Sequence, residues 1–193
     1  VTTEAFVAFL RAHPAWRRSR AKRTFVDAGY LSTWVGDLHP GARNPPRSPV
    51  TQVSWFAARA FCAAQGKRLP TTAEWERALD DVGDANARAE RILAWYGART
   101  PATVADVGRD AANRFGVVDL TGLVWEWTVD FNDTMIGDEG RGESGELFCG
   151  SGGARAVDPA DSATFMRYAF RNSLKATYTT KNLGFRCAKD VTR

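Results

Sequence analysis

Hydrophobic positions recur at helical spacing in the first half of the chain. The first helix is predicted after Thr2 or Thr3, whose hydroxyl can cap its N-terminus, and it stops at Pro14. The second is predicted after Ser54, with Gly66 as its C-terminal stop. The apolar stripes of the two helices are Phe6, Phe9 and Leu10 in the first, and Trp55, Ala58, Phe61 and Cys62 in the second. Both stripes, Cys62 included, are expected to face a core.

A third helix is marked by its start. Thr71 is followed three residues later by Glu74, a spacing that lets each residue's side chain satisfy the other's free amide. Residues 25–49 mix aromatic and turn-forming residues and are predicted to form a long ordered loop. Beyond Gly97 helical spacing fades, so the second half is predicted to consist of short strands and long loops, with residues 137–153 as an exposed loop.

Composition narrows the class of protein. The chain has 193 residues, 44% apolar and 25% charged, which is typical of a globular domain that buries its own core. It lacks the run of about 18 apolar residues that a membrane helix needs. No repeat or linker divides it, so a single domain over residues 1–193 is predicted.

Charge and residue usage exclude several kinds of binding surface and metal site. The net charge is only +4, and the basic residues near the start are interpreted as a solvated face rather than a nucleic-acid surface. Seven tryptophans and eleven phenylalanines can fill a core that is poor in regular structure. With only two histidines, a His-rich iron site is excluded within this chain. The three cysteines lack the close pairing of a zinc site.

Three segments together resemble one family. Residues 49–76 read PVTQVSWFAARAFCAAQGKRLPTTAEWE, residues 113–127 read NRFGVVDLTGLVWEW, and residues 182–187 read NLGFRC. In order and spacing they resemble the formylglycine-generating enzyme family, also called the sulfatase-modifying factor family, which includes PvdO-like and NirV-like bacterial proteins. The resemblance implies an α+β, C-type-lectin-like fold, loop-rich, with small twisted antiparallel sheets and a few helices. The family's opening strands normally precede the segment that begins at Val1, so the chain is expected to lack them.

The resemblance also directs attention to the chemistry. Formylglycine-generating enzymes oxidise a substrate cysteine with oxygen and copper, using two cysteines in the segment before the final motif. Here residues 163–173 read ATFMRYAFRNS and contain no cysteine, although Cu(I) needs soft sulfur ligands. The remaining catalytic candidates are Cys149, Tyr168 and Arg171, with copper or iron as the metal. The alternatives are an inert small side chain for Cys149 and a packing role for Tyr168 and Met166.

Two further sets of residues follow from the resemblance. Trp127 is expected to line a substrate groove, with Asp130 and Asn132 directly after it. Glu126 lies where the family binds calcium, through this carboxylate and backbone carbonyls around Gly122 and Val124. The alternative for Glu126 is a buried carboxylate paired with Arg186 or Arg171.

Cys62 and Cys187 fall on positions that form a structural disulfide in exported members of the family. The alternative is a buried, unbonded pair. A bond there matters only in an oxidising compartment, so the bacterial periplasm or the extracellular space is the expected location.

Two functions remain open. The first is a divergent member without the cysteine pair, an oxidative-maturation or metalloenzyme-accessory protein of the PvdO or NirV type that acts on a peptide or peptide-like substrate. The second is a non-catalytic module that binds a ligand or protein, because this fold also displays recognition loops. No nucleic-acid partner is expected.

Overall fold

The computed structural model describes residues 1–79, 84–132 and 159–190. The predicted loop 137–153, with Cys149, lies outside the described residues. Five α-helices and two short strands follow in the order α1 Thr3–Ala12, α2 Trp55–Ala63, α3 Thr72–Leu79, α4 Ala85–Gly97, β1 Trp125–Trp127, α5 Pro159–Asn172 and β2 Leu183–Phe185. A short 3-10 turn, Pro14–Trp16, follows α1.

The three helices predicted from hydrophobic spacing are confirmed, and each starts at the expected cap. The Thr2 hydroxyl accepts the N–H of Ala5, and the Ser54 hydroxyl accepts the N–H of Ala57 at 3.2 Å. At α3, the Thr71 hydroxyl accepts the N–H of Glu74 at 3.1 Å, and the Glu74 carboxylate accepts the N–H of Thr71 at 2.8 Å.

Helix α5 was not predicted, because its buried face mixes apolar residues, such as Ala163, with charged ones. Arg167 and Arg171 lie on that face, 7% and 3% exposed, and interrupt the hydrophobic spacing. The prediction of strands and loops for the second half is therefore wrong for residues 159–172.

Helix α4 packs against α5. It starts at a standard cap, since the Asp84 carboxylate accepts the N–H of Ala87 at 2.9 Å.

The two strands form a parallel pair. Trp125 lies opposite Leu183, and Trp127 lies opposite Phe185. The expected antiparallel sheets are thus not what the described strands form; antiparallel pairing is confined there to isolated bridges such as that between Arg68 and Ala188. Both strands are three residues long, so little of this fold rests on sheet hydrogen bonding.

The main core lies between α1, α2 and the strand pair. Phe6, Phe61 and Phe185 pack with ring centroids 5.3–6.2 Å apart. The loop over residues 25–49 is ordered as predicted, because it buries Val26, Tyr30, Leu31 and Trp34 in this core. A second cluster under α3, α4 and α5 consists of Trp75, Leu79, Ala89, Ile92, Leu120 and Ala163.

A disulfide joins Cys62 of α2 to Cys187, two residues after β2. This is the pairing that the family resemblance implied. It fastens the end of the described chain to the middle helix, across 125 residues of sequence. None of the helices in residues 1–79, 84–132 and 159–190 is long and apolar enough to cross a bilayer.

Candidate functional site

Glu126, at the centre of β1, is held by an arginine and a tryptophan. Arg186 donates from Nε to one carboxylate oxygen at 2.5 Å and from Nη2 to the other at 2.9 Å. The indole N–H of Trp75 donates to the first oxygen at 2.7 Å. Burial lowers the pKa of Arg186, but the facing carboxylate more than offsets this and raises it above its ordinary value. Glu126 is therefore an ion-pair residue that links β1 to β2 and α3.

The residues suggested for calcium do not fit that ion as they are arranged. Calcium takes six to eight oxygen ligands. Both oxygens of Glu126 already accept N–H donors, and the guanidinium of Arg186 places a positive charge beside them. Among the residues the structure describes, there is no group of three acidic, histidine or cysteine side chains able to hold a metal. The alternative given for Glu126, a pair with Arg186, matches the geometry, and calcium binding by Gly122, Val124 and Glu126 stays an untested prediction.

Arg171 takes part in a second buried ion-pair network. Its Nη1 donates to Glu76 at 2.7 Å, and Arg167 donates to the same carboxylate at 2.8 Å. The Arg171 guanidinium also lies over the Trp75 ring, 4.7 Å from its centroid. Burial raises the pKa of Glu76, yet the two arginines outweigh it and hold that pKa below its ordinary value. Arg171 thus links α5 to α3 through Glu76 and Trp75, and a catalytic role for it stays an untested prediction.

Tyr168 lies at the edge of this network. It is half-buried, and burial together with the charge of Glu76 raises the pKa of its phenol. The phenol is thus protonated at neutral pH. Met166, two residues earlier, is also half-buried. Cys149, the remaining catalytic candidate, is outside the described part of the chain.

Two of the three expected groove residues have structural roles. Trp127 is fully buried and its indole N–H donates to the carbonyl of Val53 at 2.9 Å, so it does not line a groove in this structure. Asp130 accepts the backbone N–H of Thr72 at 2.7 Å and thereby caps α3. Asn132 is exposed at the edge of the described residues. Sequence order alone could not show that Trp125, Trp127 and Phe131 are all buried.

A cavity of about 460 Å³ lies where α4, β1 and α5 meet, and we name it the aromatic cavity. Trp95 and Tyr96 of α4, Trp125 of β1 and Phe170 of α5 line it, together with Arg99. The Trp125 ring centroid is 4.6 Å from that of Trp95 and 4.6 Å from that of Phe170. The sequence analysis missed this group, although the abundance of tryptophan pointed to aromatic clustering.

Gly122 and Leu123 connect the aromatic cavity to the residues around Glu126. Both line it, while Leu123 also lines a smaller cavity of about 220 Å³ that holds Glu126 and Arg186. Asn182, from the last of the three family-like segments, is a further lining residue. Two of the three family-like segments, residues 113–127 and 182–187, therefore meet at the aromatic cavity.

In sequence, the chain is similar to several known proteins. The chain is 31% identical over 180 residues to the bovine inactive C-alpha-formylglycine-generating enzyme 2, covering 83% of this chain and 57% of that protein. It is 31% identical over 176 residues to the formylglycine-generating enzyme of Streptomyces coelicolor, covering 76% and 54%. It is 38% identical over 96 residues to the hercynine oxygenase of Mycolicibacterium smegmatis, covering 44% and 22%.

The chain spans little more than half the length of the first two of these relatives. The family profile covers nearly all of this chain. The sulfatase-modifying factor enzyme 1-like domain matches residues 1–191, which include all three motif segments, the disulfide and both ion-pair networks. The chain belongs to the sulfatase-modifying factor enzyme family.

Proposed function

We propose that this chain is a divergent formylglycine-generating-enzyme-like protein that binds a peptide or peptide-like substrate and works without the family's cysteine pair. Its role would be oxidative maturation, or assistance to another metalloenzyme, as in the PvdO-like and NirV-like branches. The observation that carries the proposal is the aromatic cavity, which lies between the family motifs and the cysteine-free helix α5.

The shape and lining of the aromatic cavity support ligand binding. Its volume of about 460 Å³ falls in the range of small-molecule and peptide side-chain sites, which combine aromatic walls with a few polar groups. Arg99 and Arg109 supply positive charge at its rim, and Asn182 supplies an amide. Tyr96 is 46% exposed, so one wall of the cavity is open to an incoming ligand.

The absence of cysteine from α5 supports a chemistry different from formylglycine generation. The helix reads PADSATFMRYAFRN, in which Met166 is the one sulfur-containing side chain. Cys149 would then be the thiol available for a redox role, with Tyr168 as a hydrogen-bonding partner in the same region of the sequence. A copper or iron ion bound through Cys149 would supply the oxidation chemistry.

A non-catalytic binding module is the second candidate function. This function is favoured because two residues that were expected to belong to the site make structural contacts instead. Arg171 is bound to Glu76, and Asp130 caps α3, so neither is free to act on a substrate. In this alternative the aromatic cavity recognises a ligand or protein and no reaction follows.

We also propose that the protein works in an oxidising compartment, the bacterial periplasm or the extracellular space. The support is the disulfide between Cys62 and Cys187, because such bonds persist where thiols are not kept reduced. With Cys62 and Cys187 bonded to each other, Cys149 has no further cysteine in this sequence to pair with.

The two candidate functions are separated by elemental analysis of protein purified without chelators. Wild type and Cys149→Ser are compared for copper, iron and calcium by mass spectrometry, with Met166→Leu as a second sulfur-removing variant. Stoichiometric copper or iron that is lost in Cys149→Ser and retained in Met166→Leu is the result expected for a redox protein. A metal content that is the same in all three proteins would contradict a Cys149 metal site and favour the binding module.

A further inference from the structure

A second cavity, of about 390 Å³, adjoins the aromatic cavity and has the opposite character. Its walls come from the turn around residues 43–52, from residues 99–104 after α4, and from Lys181 before β2. Three of its lining residues are cations, namely Arg43, Arg99 and Lys181, and no carboxylate lines it. We name it the basic cavity.

The three cations have no acidic partner in the described part of the chain. The ion pairs there use other arginines, such as Arg47 with Asp106 and Arg68 with Glu74. All three basic-cavity cations are exposed, and no carboxylate among the described residues lines the cavity with them. A cleft lined by one sign of charge concentrates ions of the other sign.

Side-chain hydrogen bonds connect the residues of the wall behind the cations. The buried side chain of Gln52 accepts the Thr33 hydroxyl at 2.6 Å and donates to the Ser32 hydroxyl at 2.6 Å. Gln52 itself has a φ of 58°, a left-handed conformation that is strained for a residue other than glycine and that recurs at ligand sites. Asn44 fixes the same wall by donating to the carbonyl of Pro40 at 2.7 Å.

One polar group of the wall is available for a ligand. Thr51 lines the basic cavity, is half-buried, and makes no side-chain hydrogen bond to any residue that the structure describes. Its hydroxyl can therefore donate to an acceptor inside the cavity. A hydroxyl donor beside converging cations is a common setting for a bound oxyanion.

We infer that the basic cavity is a binding site for an oxyanion, the carboxylate or phosphate group of a small or peptide-like ligand. Arg99, Thr100, Pro101 and Val104 line both cavities, so the remainder of such a ligand can extend into the aromatic cavity. The inference goes beyond the proposed function and is independent of Cys149 and of any metal. It assigns Arg43, Lys181 and Thr51 to ligand binding.

Calorimetric titration with two kinds of probe tests this site. The first probe is inorganic phosphate; the second is a matched pair, N-acetyltryptophan with its carboxylate and N-acetyltryptophanamide without it. The double variant Arg43→Gln with Lys181→Gln removes two of the cations and leaves Arg99 in place. The control, Arg11→Gln with Lys67→Gln, removes the same two charges from exposed positions elsewhere. Circular dichroism establishes that all proteins are folded.

The double variant is expected to bind the anionic probe about three- to tenfold more weakly than wild type, since each exposed charge contact contributes modestly. The control is expected to bind like wild type, and added salt to weaken wild-type binding. Binding of inorganic phosphate would identify a phosphate site. Tighter binding of N-acetyltryptophan than of its amide would identify a carboxylate site. Equal affinity of wild type and the double variant, an equal loss in the control, or no binding of either anion by wild type would overturn the inference.

Discussion

At the scale of single residues, Glu76 is the centre of a buried ion-pair cluster. Glu76 is bound by Arg167 and Arg171, and the side chains of all three are at least 85% buried. A buried ion pair contributes little net stability, but removing one partner leaves an uncompensated charge in the protein interior. Two arginines share this one carboxylate, so the cluster depends on Glu76 more than on either arginine.

Glu76→Gln is expected to lower the free energy of unfolding at neutral pH by about 3–5 kcal/mol, because two buried arginines lose their counter-charge. Since the pKa of Glu76 is held below its ordinary value of 4.5, its contribution is complete above that pH and is lost as the pH falls through the folded-state pKa. Urea unfolding at pH 7 and pH 3 measures both effects, with Glu90→Gln on the exposed face of α4 as the control.

The free energy of unfolding of the wild type is thus expected to fall between pH 7 and pH 3. That of Glu76→Gln is expected to fall by less. Glu74 adds to the same dependence, because the Arg68 hydrogen bonds lower its pKa to about 2. A variant as stable as wild type at pH 7 would contradict the structural role of the cluster.

At the scale of elements, the strand pair is positioned by close backbone contact. A Cβ at Gly184, in the middle of β2, would lie 2.7 Å from the carbonyl oxygen of Val50 and 3.2 Å from a methyl group of Val124. Glu126 lies directly opposite Gly184 on β1. The family-like segment NLGFRC therefore needs a glycine here so that β2 can lie against the loop that precedes α2.

Gly184→Ala is expected to destabilise the protein by about 1–3 kcal/mol, because the contacting atom is backbone and cannot move aside as a side chain can. Gly97→Ala is the matched control, since nothing lies within 4 Å of its added Cβ. Thermal unfolding of both variants measures the difference. A Gly184→Ala protein that unfolds with wild type would show that β2 can shift away from Val50.

At the scale of the whole molecule, the described residues form two apolar clusters and one disulfide, with only a two-stranded sheet. The main cluster is rich in aromatic residues, and the second lies beneath α3, α4 and α5. The Cys62–Cys187 bond constrains the unfolded chain over 125 residues of sequence. For a loop of that length the chain-entropy contribution is about 4–5 kcal/mol.

Denatured protein is expected to show one free thiol per chain without reductant and three after reduction, with Cys149 as the free one. Replacing Cys62 and Cys187 by alanine is expected to lower the free energy of unfolding by about 2–5 kcal/mol. Thiol titration, non-reducing peptide mapping and urea unfolding measure these quantities, and Cys149→Ser serves as the control. Three free thiols before reduction would refute the bond and, with it, the support for an oxidising compartment.

The sequence by itself determined the local features of this protein. Hydrophobic spacing and capping residues marked α1, α2 and α3, because both signals lie within a few residues of one another. The motifs over residues 49–76, 113–127 and 182–187 identified the family that the profile then matched. Glu126 was recognised as a residue with either a metal or an arginine beside it.

Only the tertiary structure decided what depends on distant residues. Helix α5 has a charged buried face that makes sense only beside Glu76, some 90 residues earlier. Trp125 and Trp127 are both buried, and only the packing of α4 and α5 against β1 shows that Trp125 also lines a cavity. The basic cavity joins turns from three regions of the chain, because clefts are formed by packing and not by sequence neighbours.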